Sequence, residues 1–207
     1  MTTDRDEVSD ASAGSPSIAA SPIATVITNP RLPDNPVVAV NSAFCDLTGY
    51  PTGEIIGRNC RFLAGPDTEP WQTQGVRDAI RLRRPSLVEL LNYRKDGTPF
   101  RNALIIAPMF DDGGHLAWFV GSQVEVASGN LAPLSVRQQR AARLVSALSE
   151  RQREVLREMA LGHRNKQIAW RISLAEKTVK MHRALALQKL GVATTADAIR
   201  IAVEAGL

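Results

Sequence analysis

The sequence predicts an α+β domain built on an antiparallel sheet, followed by a small all-α domain of four helices. Three observations carry this. Short β-branched runs and turn signals fill the first part of the chain, and helical periodicity fills the rest. Between them, Ala127-Ser128-Gly129-Asn130-Leu131-Ala132-Pro133 breaks the pattern chemically. Charge divides at the same place. Residues 1–127 carry 11 Lys+Arg and 15 Asp+Glu, a net of −4, whereas residues 128–207 carry 14 and 6, a net of +8. An acidic half joined to a basic half implies that only the second half meets a polyanion, with a solvated basic surface as the plainer alternative.

The expected organisation is a disordered tail over 1–17, a first domain over 18–127, a linker helix over 128–147 and a second domain over 148–207. A chain of 207 residues can bury two cores. No run approaches the roughly 18 apolar residues of a membrane span. The acidic start lacks the basic and apolar parts of a signal peptide, so a cytoplasmic protein is expected. Cys45 and Cys60 are the two cysteines, without partners at metal-ligand spacing, so neither a disulfide nor a metal site is expected.

In the first domain, Thr25–Thr28 and Val37–Val40 are β-branched runs separated by Pro, Asp and Asn, a hairpin-like pair. A short helix is expected from Asn41 to Leu47. A longer one is expected from Pro70 to Arg83, with Asp67 or Thr68 as its cap. Strands over 86–94 and 98–108 flank Lys95-Asp96-Gly97, a strong tight-turn signal. Asp111-Asp112-Gly113-Gly114 turns the chain into a last strand over 115–126.

Strand side chains alternate between faces. One face collects Val88, Leu90 and Asn92, then Asn102, Leu104 and Ile106, then Phe119, Gly121 and Gln123. Each strand thus sets one amide among apolar neighbours. A buried amide costs a few kcal/mol unless it is hydrogen bonded. Three converging amides fit either mutual bonding or the polar edge of a ligand in an apolar pocket. The opposite face, with Leu91, Ala103, Ile105, Ala107, Trp118, Val120 and Val124, is too apolar to face water. A terminal helix, a second copy of the chain or the C-terminal domain would cover it.

The segment Gly57-Arg58-Asn59-Cys60-Arg61-Phe62-Leu63 is the most specific motif. With Asp34-Asn35-Pro36, Asn92-Tyr93, Arg101-Asn102 and Gly121-Ser122-Gln123, the stretch from about Ile23 to Val126 resembles the LOV domains, flavin-binding photosensors of the PAS fold. The resemblance implies FMN as cofactor. It implies that Cys60 adds reversibly to flavin C4a after blue-light excitation, and that Gln123 faces flavin N5 and relays the change by flipping its amide. It implies that Asn59, Asn92 and Asn102 bond the polar ring edge and ribityl chain. Arg61 and Arg77 would hold the phosphate, and Val26, Leu90, Leu104, Ile106 and Phe119 would wall the ring. Family members commonly have Gln where this chain has Ala64, which removes one expected contact to the ribityl or phosphate group.

The basic segment reads as four short helices: Ser149 capping Glu150 to Leu161, Asn165 capping a second that ends near Ile172, a third over 176–190 stopped by Gly191, and a fourth over 195–205. A short helix, a tight turn and a longer basic helix make the helix-turn-helix plan. Leu148-Ser149-Glu150-Arg151-Gln152-Arg153-Glu154-Val155-Leu156, Asn165-Lys166-Gln167-Ile168-Ala169 and Lys177-Thr178-Val179-Lys180-Met181-His182 resemble the LuxR-type (GerE-type) helix-turn-helix. The resemblance implies double-stranded DNA as partner. Glu176, Lys177, Thr178 and Met181 are placed to meet bases or backbone, and Lys166, Lys180, His182 and Arg183 to neutralise phosphates, with helix packing the alternative for His182. Ala175 stands where the family often has a capping Ser; Ser173 with Glu176 has capping-box spacing. The last helix, Ala196 to Ala205, is apolar on more than one face, and in the family it is a homodimer interface, here expected in the lit state. A helix over 134–148 is the expected coupling element. No Ser-His-Asp pattern or phosphate loop speaks for an enzyme. The leading expectation is a blue-light-regulated transcription factor whose sensor releases the helix-turn-helix; a flavin-based redox sensor of transcription is the alternative.

Overall fold

The computed structural model describes residues 17–126 and 134–207. Residues 1–16 of the expected tail and the break at 127–133 lie outside these residues. Five strands form one antiparallel sheet: β1 (Ala24–Thr28), β2 (Val37–Val40), β3 (Ser86–Tyr93), β4 (Pro99–Phe110) and β5 (Leu116–Glu125), in the order β2-β1-β5-β4-β3. β5 is central, so its residues reach both faces of the sheet's middle. Register places Val26 opposite Gly121, Leu104 opposite Gln123 and Leu90 opposite Asn102, which puts the expected pocket residues on one face.

Helices α1 (Ser42–Thr48), α2 (Thr52–Ile55) and α3 (Pro70–Leu82) and a 3₁₀ turn (Cys60–Leu63) join β2 to β3. Asn41 caps α1 by accepting from Phe44 N–H at 3.0 Å, and it also accepts from Thr25 N–H and donates to Ser21 and Ile23 carbonyls. Neither Asp67 nor Thr68 caps α3; Glu69 holds the cap position without a side-chain bond, Pro70 begins the helix, and the Thr68 hydroxyl donates to Leu91 O instead. A first-turn proline removes an N–H that would otherwise need a partner.

The C-terminal part begins with α4 (Leu134–Ser146), shorter by two residues than expected because Leu148 turns into the helical core. Then follow α5 (Glu150–Ala160), α6 (Asn165–Arg171), α7 (Glu176–Leu190) and α8 (Thr195–Glu204). Ser149 and Gln152 close a capping box on α5. Asn165 is not the cap of α6 but its first residue. Arg164 takes the cap position, its N–H donating to Gln167 Oε1 at 2.8 Å, while Asn165 Oδ1 accepts from Arg183 at 3.1 Å. α7 starts at Glu176 as expected but without the Ser173 cap: Ser173 takes a left-handed φ of 54° in the turn, and Ala175 caps without a side chain. Val155, Leu156, Met159, Ile168, Val179, Ala186 and Leu190 form the core of this part. Among the described residues no helix is long and apolar enough to cross a membrane.

The two parts pack on each other. Ala196 and Ile199 of α8 are buried in one cluster with Ile18, Ile27, Ala107, Trp118 and Val120 on the outer sheet face. Full burial of a side chain of this size contributes about 2 kcal/mol. At the β4–β5 turn, Phe110 N–H donates to Gly162 O at 3.1 Å, and a Cβ at Gly162 would stand 2.3 Å from Pro108 O, so only glycine admits this approach. Arg137 of α4 pairs with Glu89 of β3 at 2.9 Å.

Candidate cofactor pocket and nucleic-acid interface

The 3₁₀ turn sets Cys60 against Val26, Phe44, Ile55 and Leu63. Burial pushes the Cys60 thiol from 9.0 up to about 12, so at neutral pH it is a protonated, weakly nucleophilic S–H. Asn59 starts the turn: its Oδ1 accepts from Arg61 N–H at 3.0 Å and its Nδ2 donates to Asp34 O at 2.5 Å. Asp34 and Asn35 both take left-handed φ values, which Asp and Asn tolerate in tight turns.

The three amides converge, each almost fully buried: Asn92 at 4%, Asn102 at 1% and Gln123 at 3% exposure. Asn102 Nδ2 donates to Asn92 Oδ1 at 2.8 Å and to Gln123 Oε1 at 2.9 Å, and Asn92 Nδ2 donates to Leu63 O at 3.1 Å. They lie on diagonals of adjacent strand pairs, a distance that long side chains can span. A continuous polar chain therefore runs from the end of the Cys60 turn to the central strand. It is incomplete: Asn102 Oδ1 is buried without a partner. Such an acceptor costs about 1–3 kcal/mol, and a donor on a ligand edge removes that cost. Gly121 keeps the middle of the face low, since a Cβ there would meet Val26 Cγ1 at 2.9 Å. Val26, Leu90, Ile106 and Phe119 are buried around it, with Leu104 partly so. An unpartnered acceptor, a chain of amides and apolar walls fit a flat ring with a mixed donor and acceptor edge, as in a flavin.

The two expected phosphate ligands stand at the surface. Arg61 grips Asp34 with both ends of its fork at 2.7 Å. Arg77 is exposed, with no ion pair or hydrogen bond among the described residues. Asp34 as the partner of Arg61 was not visible from motif spacing, although its place in Asp34-Asn35-Pro36 marks the turn that brings it there.

On the helical part, Lys166, Glu176, Lys177, Lys180 and Met181 are exposed along α6 and α7, with Thr178 and His182 half-buried. Lys180 Nζ pairs with Glu176 at 2.9 Å. Arg183 turns inward instead, donating to Asn165 Oδ1 and Thr195 Oγ1, and burial lowers its pKa. It ties α7 to α6 and α8. His182 Nδ1 is buried without a partner. An open cleft of about 490 Å³ separates this surface from the β4–β5 turn, with Met109 and Asp112 on one side and Lys166, Lys180 and Arg183 on the other. Among the described residues no cluster of three or more His, Cys, Asp or Glu is placed to hold a metal ion.

Comparison with known proteins agrees with this division. A PAS domain family model matches residues 22–127, and the model for bacterial regulatory proteins of the luxR family matches residues 146–202. The chain is 52% identical over 104 residues to blue-light-activated histidine kinase 1 of Erythrobacter litoralis, covering 50% of this chain and 29% of that protein. It is 37% identical over 163 residues to phototropin-2 of Oryza sativa subsp. japonica, covering 76% of this chain and 18% of that protein. It thus spans less than a third of these relatives. Among solved structures, the light-state LOV domain of the blue-light photoreceptor Aureochrome1 aligns with a TM-score of 0.50 at 45% identity, over 51% of this chain and 82% of that one. The LOV domain of an Erythrobacter litoralis blue-light-activated histidine kinase aligns with a TM-score of 0.50 at 36% identity, over 52% and 99%.

Proposed function

Because the chain belongs to the PAS domain family through residues 22–127, in its LOV branch, and carries a LuxR-type helix-turn-helix behind it, we propose that it is a blue-light-regulated transcription factor. Residues 18–127 sense, residues 148–207 bind DNA, and residues 128–147 join them. The observation that carries the regulated reading is the burial of Ala196 and Ile199 against Trp118 and Val120: the helix proposed for dimerisation is covered by the sheet that forms the pocket.

The cofactor is FMN, which when bound supplies blue absorption and an electrophilic ring carbon, C4a, in its excited state. Cys60, held protonated by its burial, would be the thiol set to meet that carbon, reversibly, with the S–H proton available to the ring. Gln123, whose Oε1 accepts from Asn102, would hold the ring edge beside that carbon, and its amide, which offers both donor and acceptor, could turn to match a change of protonation there. Strand β5 then holds α8 less well. Freed α8 pairs with a second copy, and two α7 helices read paired half-sites of double-stranded DNA. Lys166 and Lys180 meet phosphates. A difference of a few kcal/mol between docked and free states suffices for such a switch. Nothing in this scheme requires catalysis on a substrate.

One sample tests it. The absorption spectrum and the DNA mobility shift of the full chain are recorded before and after blue light. Reversible bleaching accompanied by tighter DNA binding is expected. A spectrum indifferent to light but responsive to reductant refutes the scheme and returns the redox alternative.

A further inference from the structure

Helix α8 brings two buried charged side chains to the sheet. Asp197 is well satisfied, accepting from Ser21 Oγ at 2.6 Å and Thr194 Oγ1 at 2.7 Å. Arg200 is not. It is 4% exposed, and its Nη1 donates to Ser122 O at 3.1 Å. Its Nη2 lies 2.9 Å from Glu204 Oε1, without the alignment of a hydrogen bond. Beside it stands Arg137, also largely buried, with Nε and Nη1 unpartnered. Burial first, and the Arg137 charge after it, lower the Arg200 pKa against the opposing pull of Glu204 and Asp197.

The acceptor that Arg200 uses is specific in its place. The Ser122 carbonyl and the Gln123 N–H are two ends of one peptide, and a peptide unit is rigid and planar. A backbone adjustment at Gln123 turns the Ser122 carbonyl with it. Gln123 points its side chain into the amide chain on the inner face, while the carbonyl beside it meets α8 on the outer face. The two faces are one peptide apart.

We propose that Arg200 is a positioning residue that reads the state of Gln123 through the Ser122 carbonyl; this rests on the light-regulated function above. With the bond made, α8 stays docked. With the carbonyl turned away, the guanidinium is left buried next to Arg137 with the Glu204 ion pair as its main partner. A buried charge without adequate partners favours the state that returns it to water. Loss of one hydrogen bond thereby becomes expulsion of the helix.

The test uses the full chain with flavin bound. Arg200→Met combined with Glu204→Gln removes both the bond and the charge, and strands no carboxylate. Hydrogen exchange over residues 195–204 reports docking directly. In the wild type, blue light raises that exchange at least tenfold. In the double variant, bleaching and dark recovery persist, but the exchange stays within twofold of its dark value, because apolar contacts hold α8 in both states. Arg200→Lys, which keeps a charge and a donor, restores most of the rise. A wild-type rise in the double variant overturns the proposal, and so does fast exchange already in the dark, which would make Arg200 a plain anchor. Failure of the wild type itself to bleach would instead refute the photosensory reading.

Discussion

The two faces of the sheet are made by alternate residues of the same strands, yet they are built on opposite principles. The inner face buries three amides in a chain whose middle member, Asn102, keeps an unpartnered acceptor. The outer face is apolar across its middle, with polar contacts at the Arg200 bond to Ser122 O and at the Glu89–Arg137 pair. Unsatisfied polar atoms demand a ligand of defined donor pattern, whereas apolar contact is non-directional and accepts any partner of suitable shape. One face is thus specific for what it holds, and the other is able to exchange what covers it.

The largest effect breaks the inner face. Cys60→Ala is expected to retain flavin and lose reversible bleaching completely, as read by absorption before and after blue light. Persistent bleaching with normal recovery would detach the photochemistry from this cysteine. Next, Val120→Glu breaks the outer face. It sets a carboxylate against Ile199 and Trp118, costing the docked state roughly 3 kcal/mol, a shift above a hundredfold at about 1.4 kcal/mol per tenfold. DNA binding in the dark should rise to the lit level while bleaching stays normal; dark binding left at the wild-type level would show that docking does not inhibit.

A smaller effect tests whether DNA contact lies apart from both faces. Lys180→Ala should lower affinity for all sequences alike and reduce the salt-dependence slope by about one. An unchanged slope would mean that Lys180 stays with Glu176 in the complex. The smallest effect concerns the thiol. Its raised pKa means that its contribution to stability is present below pH 9.0 and is lost as pH climbs toward about 12. Thermal melts of wild type and Cys60→Ala should therefore run in parallel from neutral pH to 9.0 and diverge above it, with the wild type falling faster.

Much of this contrast was legible in the sequence. Period-two alternation assigned Asn92, Asn102 and Gln123 to one face and Trp118 and Val120 to the other, and Asp96-Gly97 fixed the β3–β4 register. The short segments were not legible: α2 has four residues, too few for periodicity to show. Nor were long-range polar partners. Arg61 with Asp34, Arg183 with Asn165 and Thr195, and Arg200 with Ser122 are joined by tertiary approach, and nothing in local spacing announces such partners. Ser149 caps as expected, but one other cap was lost for the same reason. Asn165 was drawn away from the helix start by Arg183.

The two roles proposed for α8 have a quantitative outcome. If Ala196 and Ile199 serve both the sheet and a second copy of the helix, one engagement excludes the other. Docking is intramolecular and indifferent to dilution, but pairing of two chains grows with total protein. The dark state therefore holds only up to a threshold abundance, above which self-association draws α8 off the sheet without any light. Expression level then becomes part of the photoresponse: scarce protein gives a tight but weak switch, and abundant protein gives a strong one that leaks.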